Sequence, residues 1–452
     1  MTGGSDRYTT RLYRTVLSPI MWRRRSFVVT VVVLSIIVAW AGFAYVMQLL
    51  RGLGVTGMNR PVYWGFYIVN FVFFIGISHA GTLISSVLRI SKVEWRRPFT
   101  RAAEALTIFS LPFGAMSVIV DLGRPERAMN VVFHANFTSA ILWDVCCISA
   151  YMLTSAIYFY LALVPDIALC RDKLTRVPRW LRWVYRVLAA GWTGTDRQWH
   201  RLERTLTVMS VFLFMLVISV HTNVSFIFGM TLQPGWHSTL ISPYFVLGAI
   251  YSGIAAVVIV VAAFRRMFHL ERYVTLAHFD SIRKFLIALC LFWFYFTFIE
   301  FLFTYYGHEL PHMAVFDAKF FEEFSPIFWV MICCCFPIPL VLLCLKWTRS
   351  LRGLVVTCII INLGMWLERF TVVVPSLTRP RLPYPPGSYW PTWVEWSVTA
   401  GLFAGMALLY VIFTKFFPIL TLWELKEGRH EGLEEIKGRL REYGQLPSEF
   451  DA

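Results

Sequence analysis

An all-α membrane protein of about ten transmembrane helices, with both termini cytoplasmic, is the fold class this sequence predicts, and three observations predict it. The chain of 452 residues is 57% hydrophobic with a mean hydropathy of +0.60, and its apolar residues fall in long blocks separated by short charged segments. A run of about 18 or more apolar residues is long enough to cross a bilayer as a helix, and a helix satisfies its own backbone groups there. Such runs begin near Ser26, Pro61, Phe99, Phe137, Leu202, Ile241, Phe285, Phe324, Leu351 and Trp393. Finally, 34 of the 42 lysines and arginines lie before the first run, after the last, or in alternate loops between them. The positive-inside rule makes that side the cytoplasm.

The first run follows Arg23, Arg24 and Arg25 and has the charge of a signal peptide. No small-residue cleavage site precedes the polar stretch Gln48 to Arg51, so the expectation is an uncleaved anchor. Tyr63, Trp64 and Tyr67 open the second run as an interfacial belt, and Trp22, Trp390, Trp393 and Trp396 mark other boundaries. Trp180 to Trp199 reads as a loop with an amphipathic helix lying on the cytoplasmic face rather than a span. Gly307 to Phe324 carries Glu309, Asp317, Glu322 and Glu323 against one lysine, and reads either as a docking surface or as an ordinary acidic outer loop. The prolines of Pro375 to Pro391 predict a stiff non-helical loop. The organisation expected is a cytoplasmic segment 1–25, a membrane domain 26–417 and a cytoplasmic tail 418–452 that ends as a short soluble helix after Trp423.

The net charge of +15 is spread over short loops that meet anionic headgroups, which argues against nucleic acid. None of the nine cysteines lies in a Cys-x-x-Cys arrangement, and the consecutive Cys333, Cys334 and Cys335 point three ways around a helix, so no metal site is expected. A b-type haem requires two axial ligands at matching depth. His79 and His221 are the histidines well within runs, and counting from the loops places them at different depths, which argues against haem.

An ionisable side chain inside a span costs about 2.5–3.5 kcal/mol on insertion scales unless it faces the bundle interior and is paired. At a rise of about 1.5 Å per residue, Asp121, Arg124, Asp144, His221, Glu300, Glu368, Arg369 and Glu395 all fall toward the outer leaflet, and Glu104 toward the inner. Each could be a structural pair or cap, but their gathering on one side fits quinone chemistry. A quinol gives up two electrons only if two protons leave its hydroxyls, so its site needs an acceptor near each oxygen and a path to water. Asp121, Asp144 and His221 are the expected headgroup site, with Arg124 setting their potentials. His79, in the small-residue sequence GISHAG, is expected at the depth of Glu104, either as the start of an inward proton path or as a buried hydrogen-bonded pair.

Five segments then carry a resemblance. WGFYIVNFVFFIGISHAGTLISSVLR from Trp64, DLGRPER from Asp121, LWD ending at Asp144, PGWHSTLISPYFVLGAIYSG from Pro234 and NLGMWLERF from Asn362 resemble the polysulfide reductase NrfD-type membrane subunits. They are most similar to the ten-helix quinol-interacting subunits of alternative complex III and of the related periplasm-facing quinone reductase complex, over roughly Pro61 to Phe417. The resemblance implies two four-helix bundles and a cofactor-free quinone site in a bacterial inner membrane. It implies menaquinone or menaquinol as diffusible substrate, and iron–sulfur clusters in an extracytoplasmic partner. Further membrane subunits, a second homologous NrfD-type subunit and cytochrome c subunits are the other partners it suggests. By the same resemblance His79, Asp121, Asp144, Glu300, Glu368 and Arg369 map to the quinone pocket or to proton paths, to which the depth assignment adds Glu104 and Glu395. The chain would then be a subunit of a quinol-linked oxidoreductase, inactive alone. A transporter and a passive membrane anchor are the rival classes.

Overall fold

The computed structural model describes residues 12–13, 15–20, 25–91, 93–174, 177–382 and 384–425. Among the described residues, ten helices are long and apolar enough to cross a membrane: α1 Arg25–Arg51, α2 Phe66–Ile90, α3 Arg97–Asp121, α4 Ala140–Lys173, α5 Asp196–Gly229, α6 Ile241–Met267, α7 Leu276–Gly307, α8 Ser325–Cys344, α9 Leu351–Thr378 and α10 Trp393–Phe416. Their alternation gives the molecule an arginine-rich end and an arginine-poor end. α4 and α5 have 34 residues each, about 51 Å at the helical rise. They therefore project past a hydrocarbon layer of about 30 Å.

α2 is the centre of the molecule, packed against α3, α5, α6 and α9. Its most apolar stretch is 83% buried, whereas that of α1 is 11% buried, because α1 packs chiefly on α10 and turns Val29, Ile36 and Trp40 outward. Small residues let α2 approach its neighbours. A Cβ on Gly81 would stand 2.0 Å from Thr107 Oγ1 and 2.3 Å from the Ala103 carbonyl oxygen of α3. One on Gly253 of α6 would meet Ala80 Cβ at 2.8 Å. Below His79 the helix loosens into a π-helical turn, Leu83–Val87.

Three features of the folded chain depart from, or add to, the expectations above. α9 continues through Pro375 to Thr378, so the proline-rich loop starts later than the prolines alone suggest. Tertiary contacts override the local penalty there: Val373, Val374 and Leu377 are buried, the Ser376 carbonyl accepts from Gln233 Nε2, and the Thr378 carbonyl accepts from Gly387 N at 3.0 Å. α8 breaks at Phe336, before Pro337 and Pro339. The Tyr251 hydroxyl donates at 3.1 Å to the Cys335 carbonyl freed by the break. The segment Gly307–Phe324 contains a helix, Leu310–Phe320, whose Val315, Phe316, Ala318 and Lys319 turn inward while Glu309, Glu322 and Glu323 stay at the surface. Arg379 holds Glu322 at 2.6 Å and Glu323 at 3.1 Å.

The α4–α5 connection contains the expected amphipathic helix, Arg179–Leu188, with Leu181 and Tyr185 inward and Trp180 and Trp183 outward. After α10 the chain turns under the arginine-rich end. Glu424 is buried there, 3.1 Å from Arg96 Nη1 and 3.5 Å from Arg89 Nη1, and Arg97 Nη1 donates to its carbonyl at 3.1 Å. The soluble tail helix and the amino-terminal residues 1–11 lie outside the described residues.

Candidate functional site

Polar side chains inside the helix assembly form a connected group around α2. His79 projects from the middle of α2 with Nδ1 2.7 Å from the Ile75 carbonyl and Nε2 3.2 Å from the Val217 carbonyl. The His221 ring of α5 lies against it, with ring centroids 4.4 Å apart at 68°. The expected difference in depth is therefore corrected. Counting from the loops sets that depth, and α2 and α5 do not begin and end at the same height. Direct ring contact also leaves no room for a porphyrin between the two imidazoles. His221 is fully buried, and neither of its ring nitrogens has a hydrogen-bond partner.

Toward α6 and α9, His221 meets the Phe245 ring at 6.2 Å, and the Arg369 guanidinium lies 4.9 Å from the centroid of the same ring. Arg369 Nη1 stands 2.8 Å from Glu368 Oε2, with both side chains almost wholly enclosed. Trp64 stacks on Trp236 at 5.8 Å, and Phe228 edges against both, which covers this group from the arginine-poor end.

Toward the arginine-rich end, the Tyr151 ring of α4 lies 5.5 Å from His79, and its hydroxyl bonds Thr82 at 2.8 Å and the Ser78 carbonyl at 3.1 Å. A small space of about 10 Å³, room for about one water, follows, lined by Thr82, Ser85, Thr107, Ser155, Tyr158 and Glu104. Glu104 Oε2 is 3.8 Å from Arg101 Nη1, and Arg101 donates to Asp166 Oδ2 at 2.8 Å and to the Ala162 carbonyl at 3.0 Å. His79 and Glu104 thus stand at the two ends of a hydroxyl-lined interval rather than in contact.

The remaining expected residues occupy separate places. Asp121 ends α3 beside Gln48, which bridges the Val120 carbonyl at 2.8 Å and the Tyr67 hydroxyl at 2.6 Å. Its Oδ1 is buried without a partner. Asp144 is buried on the inner face of α4 with its Oδ1 likewise unpartnered, one turn before Cys147, to which Asn223 donates at 3.2 Å. No hydrogen bond or ring contact joins Asp121, Asp144 and His221 to one another among the described residues, and Arg124 is exposed. Glu395 is fully engaged as a cap: Gly57 N and Thr392 N donate to Oε2 at 2.7 and 2.9 Å, and the Tyr389 hydroxyl to Oε1. A proton could pass through it only by breaking that cap. Burial and the Glu395 carboxylate together push the Tyr389 phenol well above its ordinary range.

Glu300 accepts from the Ser238 hydroxyl at 2.6 Å and lines a cavity of about 50 Å³ with Tyr244, Phe245, Thr297, His312 and Lys319. Lys319, on the short helix before α8, is 6% exposed, and its Nζ lies 5.7 Å from the Phe301 ring. Burial pulls its ammonium down to about 8, against the opposing pull of Glu300 and Glu368. An unfolded chain keeps this proton to about pH 10.4. Between about pH 8 and 10.4 the unfolded state therefore binds more protons, and stability rises with pH, by on the order of 3 kcal/mol in all. Thermal unfolding followed over that interval should show the rise, and Lys319→Met should flatten it.

Lys319, Tyr151, Gln48 and Asp166 are not among the residues that the sequence singles out. Asp166 interrupts the apolar stretch LALVPDIAL and is detectable by the same criterion as Asp144. Lys319 directly precedes two phenylalanines in AKFF, an apolar setting that favours insertion of the aliphatic stem. Tyr151 and Gln48 carry no comparable signal.

No group of three or more histidine, cysteine, aspartate or glutamate side chains close enough to hold a metal ion occurs among the described residues. Fold and site together define a multi-pass membrane protein with a polar interior. Residues 54–381 match the model of the family described as polysulphide reductase, NrfD, and the chain belongs to that family. It is 22% identical over 413 residues to the Hdr-like menaquinol oxidoreductase integral membrane subunit of Archaeoglobus fulgidus, covering 86% of this chain and 93% of that one. It is 24% identical over 391 residues to the menaquinone reductase integral membrane subunit of Nitratidesulfovibrio vulgaris, covering 84% and 88%. Identity to a selenate reductase subunit of Mesobacillus selenatarsenatis is 23% over 408 residues, covering 86% and 93%. The protein is thus a membrane subunit related to those of quinone- and quinol-interacting reductase complexes.

Proposed function

We propose that this chain is the quinone-binding subunit of a multisubunit electron-transfer complex, oxidising menaquinol near the outer leaflet and passing its electrons to an extracytoplasmic iron–sulfur partner. In this reading the arginine-poor end faces outward, both termini are cytoplasmic, and the helices between α1 and α10 form two four-helix bundles. The exposed apolar faces meet lipid and other membrane subunits, among them a second NrfD-type subunit and, through the complex, cytochrome c. One observation carries the reading. Asp121, Asp144 and His221 each present a buried polar atom with no hydrogen-bond partner. A buried unpaired polar group costs about 1–3 kcal/mol. Three of them in a polar interior make sense as positions that a ligand completes.

A quinol hydroxyl can donate to a carboxylate or to an imidazole nitrogen, and the iron–sulfur partner takes the two electrons as the protons leave. His79, Tyr151, the hydroxyl-lined space and Glu104 supply an inward proton path, which permits coupling to translocation. The name of the Nitratidesulfovibrio relative favours a second reading, in which the same site reduces menaquinone with electrons arriving from the partner. The direction follows from the relative potentials of partner and quinone. The test is binding of a menaquinol analogue to the purified complex, read by quenching of tryptophan fluorescence, together with reduction of the complex's iron–sulfur clusters on adding menaquinol. Saturable quenching with cluster reduction is expected; a complex free of iron–sulfur clusters, or one that binds no quinone, refutes the proposal and leaves the transporter and anchor classes.

A further inference from the structure

At the arginine-rich end of the molecule, the start of α1 and the ends of α6 and α10 enclose a space of about 220 Å³. One water needs roughly 10–15 Å³ of such space, so a polar group of several atoms fits. Ser26, Phe27 and Thr30 of α1 line one side, Lys415 of α10 a second, and Met267 and His269 at the end of α6 a third. No carboxylate lines it among the described residues.

Lys415 is held in the wall of this space. Its ammonium donates to the Pro19 carbonyl at 2.7 Å and stands 4.5 Å from the centroid of the Phe27 ring, so the charge stays beside the space instead of extending into water. Ser26 and Thr30 are four residues apart on α1 and therefore share a face. Among the described residues neither hydroxyl forms a hydrogen bond, so both can donate to an incoming anion. Arg25 and Arg266, the sequence neighbours of Ser26 and Met267, are exposed and add to the positive field at the mouth. Alongside, α1 turns Val29, Val33 and Ile36 outward, and its most apolar stretch is only 11% buried. A cationic, hydroxyl-bearing recess thus opens beside an exposed apolar helix face, at the level where the spans end.

We propose that this space holds the headgroup of an anionic phospholipid, with its phosphate on Lys415, Ser26 and Thr30 and its acyl chains along the outward face of α1. Basic pockets between spans at this end of a membrane protein are suited to such headgroups. The apolar face decides between a lipid and a free anion: only an amphiphile gains from Val29, Val33 and Ile36 as well as from Lys415. The bound lipid ties α1, the least buried span, to α6 and α10, and stabilises the folded chain by mass action. The site shares no residue with the polar group around His79, so it stands whether or not the chain binds a quinone.

The test uses the purified, delipidated complex in detergent, with dioctanoyl phosphatidylglycerol as probe and dioctanoyl phosphatidylcholine and inorganic phosphate as comparisons. Phosphatidylglycerol should raise the thermal unfolding midpoint saturably, and more than either comparison at equal concentration. In Lys415→Met the concentration giving half of that rise should increase about fivefold, the share of one lysine near a headgroup, whereas Lys415→Arg should keep the wild-type value. Ser26→Ala/Thr30→Val should weaken the response with Lys415 in place. A phosphatidylglycerol carrying a diazirine on an acyl chain, irradiated with the wild-type complex, should label the α1 peptide, as read by mass spectrometry. An equal rise with phosphatidylcholine means a general lipid effect, and an equal rise with inorganic phosphate means a free-anion site; either overturns the proposal. An unchanged half-point in Lys415→Met, or labelling that spares α1, overturns it as well. Where Lys415→Met fails to assemble, the hydroxyl variant and the wild-type labelling decide.

Discussion

Asp144→Asn is expected to lower quinol-linked turnover by about 100-fold or more while the complex assembles normally. The substitution keeps shape and volume and removes only the capacity to take a proton. A positioned general acid or base contributes typically about 10²–10⁴-fold, and an amide cannot replace it. Asp144 is suited to the role because its Oδ1 is buried and bonded to nothing, so no packing arrangement depends on its charge. Steady-state turnover with a soluble menaquinol analogue, compared at equal complex content, measures the effect. Full activity in an assembled Asp144→Asn complex would assign this carboxylate to packing.

The largest loss of stability is expected from Arg369→Met. Its guanidinium is 2.8 Å from Glu368 and lies over Phe245, with about 1% of either charged side chain exposed. Removing one member of a buried pair leaves the other uncompensated, at a cost of about 3–5 kcal/mol. Replacing both by apolar residues of similar volume is often neutral or favourable by contrast. The double variant Glu368→Leu/Arg369→Met should therefore recover most of the thermal stability that Arg369→Met loses. Thermal unfolding of the two purified variants checks this, and a double variant no more stable than Arg369→Met would contradict it.

The spans are legible because their signal is local. A run of apolar residues and the flanking arginines specify a helix and the end on which it starts, and the ten expected starts fall within about nine residues of those observed. What neighbours what is not local. His79 and His221 are far apart in sequence, and counting from loops gives them different depths, yet their rings touch, because helix lengths and projections differ from span to span. Pro375 reads as a helix breaker because the penalty is visible in sequence and the compensating contacts from Gln233 and Gly387 are not. Glu395 illustrates the same limit from the other side. A carboxylate at the start of an apolar run reads equally as a buried titratable group or as a helix cap, and only the donors from Gly57, Thr392 and Tyr389 distinguish them. Asp144 and Arg369 stand out by the cost of burying charge, which needs no knowledge of neighbours.

The central claim is that a quinone headgroup completes the unpartnered atoms at the arginine-poor end of the helices around α2. A density map of the assembled complex with bound menaquinone tests it directly. The account predicts a ring with a carbonyl oxygen within hydrogen-bond reach of Asp144, Asp121 or His221, below the nearest iron–sulfur cluster of the partner. A ring at the arginine-rich end, or on the lipid-facing side of the helices away from all three residues, would contradict it.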